Sequence, residues 1–236
     1  MSDIAQNLMR ILAQIDAAVP AQKSAAQISA EPRLVAVSKK MPAAAVRTCY
    51  DAGQRIFGEN YVQEALEKQE LLADLPIEWH LIGPLQSNKC VQVAAHFSWL
   101  QSLDRAKLIP LLARARSSLQ PPLNVLIQVN IDDESTKSGC APTEMPVLAE
   151  LVAAEPTLCL RGLMVIGRPD AAEATFAAMA RLYSQLHTQL SGHSNVQIDT
   201  LSMGMSGDFP LALAHGANLV RVGSAIFGAR YPLTIF

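Results

Sequence analysis

The chain has 236 residues, half of them hydrophobic, with 19 Lys plus Arg against 21 Asp plus Glu and a formal net charge of −2. That length suits one large domain or two small ones, and α/β barrels commonly run this long as a single unit. The near-neutral balance excludes a general pull toward nucleic acid or anionic membrane, and 5% aromatic residues leave little for stacking single strands.

The opening stretch "MSDIAQNLMRILAQIDAAV" is interrupted by Asp3, Gln6, Asn7, Arg10 and Gln14, so it does not read as a signal peptide. Ile4, Leu8, Ile11, Leu12, Ile15 and Val19 recur at helical spacing behind a capping Ser2, which predicts an amphipathic helix over about residues 3–19. Strand-like apolar runs follow at 34–38, 55–57, 78–82, 97–101, 123–130, 158–166, 196–202 and 218–223. Between them, helical spacing recurs at 43–52, 61–72, 87–95, 105–118, 143–154, 171–190 and 208–215. "LNVLIQVN" and "NLVRV" are continuous hydrophobic runs, as strands buried on both faces are. Eight alternations predict an α/β fold, a single (β/α)8 barrel of the TIM type with an extra N-terminal helix. No Gly-, Ser- or Pro-rich linker divides the chain, so residues 1–236 read as one domain.

No segment approaches the roughly 18 apolar residues of a membrane span. Cysteines 49, 90, 140 and 159 form no C-x-x-C, and the five histidines form no ligand pattern with them. These features predict a cytoplasmic protein without structural metal or disulfides.

In a parallel barrel the functional groups gather at the carboxyl ends of the strands. The first strand ends in Ser38-Lys39-Lys40, the second in Glu59-Asn60, the third in "GPLQSNK", and the fourth in Ser102 and Asp104. The seventh ends in "LSMGMSGD" and the eighth in "RVGSAIFG". Ser202, Gly204, Ser206, Gly207, Gly223 and Ser224 are small enough to let a ligand reach backbone N–H groups. Either loop alone reads as a turn. Both together, in the seventh and eighth units, point to a phosphate cradle. Asp208 is placed to cap the next helix.

Alternation puts Arg221 and Gly223 on one strand face. If that face is the interior, the guanidinium stands in the barrel mouth and needs an acceptor, either a carboxylate or a ring nitrogen. Alternation also separates the two lysines, sending Lys39 to the mouth and Lys40 away from it. Lysine condenses with aldehydes best when partial burial lowers its pKa.

The segments "VAVSK", "GENYVQE", "WHLIGPLQSNK", "TKSG", "RGLM", "LSMGMSGD" and "VRVGSAIFGAR" resemble the pyridoxal 5′-phosphate homeostasis proteins, the YggS-like relatives of the alanine racemase N-terminal barrel. The likeness runs in order from about Leu34 to Arg230. It implies pyridoxal 5′-phosphate (PLP) held as a Schiff base on Lys39, with the phosphate among Ser206, Gly223 and Ser224. It further implies Arg221 at the pyridine nitrogen, Asn60 near the ring, and Lys137 as a second lysine for cofactor exchange. Met203, with Met164 and Met205, is expected to line the pocket. The implied function is a monomeric carrier that maintains vitamin B6 and amino-acid homeostasis. It would pass PLP to apo PLP-dependent enzymes and lack robust catalysis of its own. Arginine only donates, so it leaves the ring nitrogen unprotonated and a weak electron sink. The chain ends nine residues after Phe227, which leaves no room for a racemase's second domain. The apolar ending "GARYPLTIF" departs from the family's more polar one.

Two enzyme readings compete, a PLP-dependent amino-acid racemase and a cofactor-free lysine aldolase. His80 is expected to be a hydrogen-bonded barrel histidine, Glu59 and Asp104 capping or salt-bridging groups, and Cys140 exposed. Gln86 and Asn88 either orient the loop near the site or cap the helix after it.

Overall fold

The computed structural model describes residues 2–19, 31–131, 138–190, 192–193 and 195–228. The strands are β1 (Arg33–Val37), β2 (Ile56–Glu59), β3 (Glu78–Leu81), β4 (Trp99–Leu103), β5 (Leu123–Gln128), β6 (Leu158–Met164), β7 (Val196–Ser202) and β8 (Leu219–Val222). They pair in parallel and in chain order, and β1 closes on β8 with Val35 opposite Arg221. The helices are α1 (Asp3–Ala18), α2 (Ala43–Asp51), α3 (Val62–Leu71), α4 (Cys90–His96), α5 (Ile109–Ala115), α6 (Met145–Ala153), α7 (Ala172–Gln189), α8 (Phe209–Ala214) and α9 (Ser224–Phe227). The eight-stranded barrel expected from the alternating pattern is the observed architecture.

The two faces of each strand meet different surroundings, because the side-chain period is two. Val35, Trp99, Leu126, Met164 and Leu219 fill the barrel interior. Their neighbours Leu34, Ala36, Leu100, Leu163 and Val220 pack outward beneath the helices. This is why the strand runs are apolar throughout.

Element ends differ from the sequence reading where side chains intervene. Helix α5 stops at Ala115 because the buried Arg116 turns away to donate to the carbonyls of Ala94, Phe97 and Pro121. Strand β4 starts at Trp99 because the Phe97 N–H still closes α4 onto Val93. The one-turn helix α9 was not foreseen.

Helix α1 begins as expected, with the Ser2 hydroxyl accepting from the Ala5 N–H. Leu8, Ile11 and Ile15 are buried, each stabilising the fold by about 1.5–3 kcal/mol, whereas Leu12 stays partly exposed. The helix packs on α2, α8 and α9. Asn7 and Arg10 donate to the carbonyls of Ile226 and Ala225, so this added element buttresses the turn that follows β8. No helix among the described residues is long and apolar enough to cross a membrane.

Candidate functional site

Strand β1 delivers its lysines through a tight turn. The Met41 N–H closes onto the Ser38 carbonyl, and Lys40 adopts φ 62°, the left-handed region. Lys39 thereby keeps the interior side of Val35 and Val37. It lines a small cleft with Val37, Met41, Gly223, Ser224, Phe227 and Gly228. Lys39 is half-buried and Lys40 is exposed.

A second lysine, not singled out in the sequence, holds this turn. The buried Lys68 ammonium donates to the Ser38 carbonyl, to Glu59 Oε1 and to Glu64 Oε1, each at 2.7 Å. Three donors meet three acceptors, as a buried ammonium requires. Ser38 Oγ donates to the same Glu59 oxygen at 2.6 Å, and the Lys40 N–H donates to Glu64. Burial pushes the Glu59 carboxyl upward, opposed by the Lys68 ammonium and the Ser38 hydroxyl. Glu59 and Asp104 are therefore ion-pair partners, of Lys68 and Arg105 respectively.

The two small-residue loops meet. Ser224 Oγ lies 3.5 Å from Ser206 Oγ, joining the turns after β7 and β8. Gly223 lies so close to β1 that a Cβ there would sit 3.0 Å from the Val37 carbonyl oxygen. Asp208 corrects its expected role. It occupies the N-cap position of α8 but makes no side-chain cap bond, and its carboxylate instead accepts from the Met205 N–H at 2.6 Å. Ser202 is also reassigned, being wholly buried within the barrel rather than in a cradle. The Met203 side chain is wholly buried in the main hydrophobic core, so it does not line the cleft as expected. Met164 is an interior residue. Asn60 is half-buried at the end of β2, its backbone pressed against Gly83, where a Cβ would lie 2.2 Å from the Asn60 carbonyl oxygen.

Arg221 is buried in the interior, as the alternation required. It donates to Ser202 Oγ and to the Val165 carbonyl, both at 2.7 Å. Burial lowers its pKa to about 10, partly offset by the Asp208 charge, so it remains a cation at neutral pH. His80 is the hydrogen-bonded barrel histidine expected, paired with Glu78 and Gln101. Gln86 stands before the turn Ser87–Lys89 without a side-chain cap bond. Cys140 is buried, not exposed, because its backbone bridges to β5 through Val129. Lys137 and the apolar C-terminal ending lie outside the described residues.

Comparison with known proteins agrees with this fold. Residues 12–231 match the model of the alanine racemase N-terminal domain. The chain is 51% identical over 232 residues to the pyridoxal phosphate homeostasis protein of Pseudomonas aeruginosa, covering 98% of this chain and 97% of that protein. It is 46% identical over 236 residues to the protein of that name from Escherichia coli K12, covering 98% of each. Among solved structures, PipY of Synechococcus elongatus without PLP superposes with a TM-score of 0.83 at 37% identity, over 95% of this chain and all of PipY. PipY with PLP bound gives 0.77 at 38% identity over the same shares. Alanine racemase from Corynebacterium glutamicum, at 18% identity and TM-score 0.64, shares the fold. The chain belongs to the pyridoxal phosphate homeostasis protein family, built on the alanine racemase N-terminal barrel.

Proposed function

We propose that this protein is a cytoplasmic, monomeric PLP carrier of one barrel domain, which holds the cofactor covalently on Lys39 and keeps vitamin B6 and amino-acid pools in balance. The observation that carries this reading is the shared cleft, in which the Lys39 side chain and the Gly223-Ser224 turn line one space. The PLP-bound PipY structure and the names of the curated relatives support it.

The residues present fit the group. Bound there, PLP supplies an electrophilic aldehyde conjugated to a heteroaromatic ring. Lys39 offers the amine that condenses with an aldehyde, held in place by the Lys68-clamped turn. Ser206, Ser224 and the Gly223 backbone would hold the phosphate, with the Met203 backbone behind them, and Asn60 would lie near the ring. Arg221 would face the ring nitrogen as a donor that cannot supply it with an acidic proton, and a ring left unprotonated would be a weak sink for carbanion electrons. That favours holding the cofactor over transforming an amino acid. Lys137 is assigned to cofactor exchange on the family likeness alone, and apo PLP-dependent enzymes are the recipients.

The test is chemical. Borohydride reduction of the loaded protein followed by peptide mass spectrometry should place the cofactor on Lys39, and Lys39→Ala should take up no chromophore. An adduct on Lys40 or Lys68 instead defeats the site assignment. Exchange of the alanine α-proton at enzyme-like rates would favour the racemase.

A further inference from the structure

Beneath Arg221 the barrel interior is polar along one continuous line. The guanidinium reaches Ser202 Oγ, Ser202 Oγ reaches Gln101 Oε1, the Gln101 amide nitrogen reaches His80 Nδ1, and His80 Nε2 reaches Glu78 Oε1. All four distances are 2.7 Å. Arg221, Ser202, Gln101 and His80 are buried, and Glu78 reaches the barrel floor at the start of β3.

The chemistry of the ends dictates the direction of every bond. A guanidinium only donates, and a carboxylate only accepts. Ser202 therefore accepts from Arg221 and passes its own proton to the Gln101 carbonyl oxygen. That turns the amide nitrogen toward His80, which must accept at Nδ1 and keep its proton on Nε2 for Glu78. Hydrogen bonds aligned head to tail in a dry interior polarise one another. If His80 carried two protons, Nδ1 would donate, the amide would have to turn over, and the Ser202 proton would lose its acceptor. The groups facing His80 are Glu78 on its own strand, the Arg33 guanidinium from β1, which also reaches Glu78, and Trp99 of β4, stacked on the ring at 5.1 Å. Burial and Arg33 disfavour the second proton and Glu78 favours it, with His80 held below the ordinary histidine range.

We propose that Ser202, Gln101, His80 and Glu78 are positioning residues for Arg221, a one-way relay that ties the cation under the mouth to a carboxylate on the floor. The relay fixes the attitude and donor strength of the guanidinium toward the bound heterocycle. For its ligand this rests on the PLP reading above.

Two measurements decide it. In the cofactor-free protein, nitrogen-15 NMR of the histidine rings should show His80 as the neutral Nε2–H tautomer between about pH 6 and pH 8. A doubly protonated ring, or a proton on Nδ1, overturns the relay without reference to any ligand. In the second, Gln101→Leu and the milder Ser202→Ala should weaken PLP uptake about tenfold. Both should also shift the absorption maximum of the bound cofactor and its pH midpoint, while borohydride still marks Lys39. Unchanged affinity, spectrum and pH midpoint in a folded variant overturn the proposal. If the wild-type protein takes up no PLP, the reading of the site itself fails. Uptake that both variants leave unaltered removes only the relay.

Discussion

At the floor of the barrel, Arg161 grips Asp199 through two hydrogen bonds of 3.0 and 2.6 Å and reaches Asn124 with a third at 2.7 Å. The guanidinia of Arg161 and Arg33 lie 4.8 and 5.3 Å from the centroid of the Trp99 ring, and Arg33 also faces Glu78. Charges there are matched by other side chains. At the mouth, the buried Lys68 is likewise matched by Glu59 and Glu64 beneath the β1 turn, but the cleft that Lys39 lines is bordered in part by Gly223, Ser224 and Gly228, and the buried Arg221 is met by a hydroxyl and a carbonyl. Ion pairs fill the floor, whereas at the mouth they are set beneath the turn and small residues with backbone polarity border the opening. A barrel that must be both stable and receptive can place these demands at opposite ends of its strands, because strand polarity separates them.

The sharpest break of this contrast is Lys68→Met, which removes the clamp beneath the mouth. It leaves Glu59 buried without its counter-ion and should cost about 3–5 kcal/mol in denaturant unfolding. The deficit should be smaller at pH 4 than at pH 8. A carboxyl whose folded pKa is raised loses stability as pH climbs past its unfolded value, and protonation relieves the strandedness. An equal deficit at both pH values would mean that packing, not charge, explains it.

Gly83→Ala comes next. A Cβ 2.2 Å from the Asn60 carbonyl oxygen forces the backbone apart, at about 1–3 kcal/mol. Because Asn60 borders the mouth, PLP titration should weaken as well. Stability loss with unaltered titration would remove Asn60 from the site.

At the floor, Arg161→Leu breaks a partly exposed bidentate pair and should cost about 1 kcal/mol, with PLP uptake far less altered than in Gln101→Leu. Comparable losses of uptake in the two variants would erase the distinction between the ends.

The smallest effect is the acid limb of stability. His80 is held below its unfolded pKa chiefly by burial. The unfolded chain therefore takes up the proton first as pH falls through about 6.5, and stability declines from there toward the folded pKa. His80→Asn should flatten that part of the pH–stability curve; an unchanged slope assigns the decline to other groups.

The fold was legible from chain order because eight double-faced apolar runs alternated with helical spacing, and the eight strands observed begin and end within a few residues of them. The placement of Lys39, Gly223 and Ser224 around one cleft was legible for a related reason, since strand alternation and position at a carboxyl end are local properties. Lys68 and Gln101 were not singled out. Lys68 looks like a solvated helix residue until α3 brings it to a carbonyl thirty positions away. Gln101 was hidden in an apolar run, although a polar residue two places after Trp99 on an inward strand face was a readable signal.

Periodicity and strand polarity, both short-range features of the chain, determined which residues form the barrel and at which end Lys39 and the small-residue turns gather. Tertiary structure alone decided that Ser202 serves Arg221 rather than a phosphate, that Asp208 bonds backward to Met205, and that a polar line joins mouth to floor. The physical reason is that partners across a closed barrel are set by register and stagger between strands. No segment read by itself contains that offset.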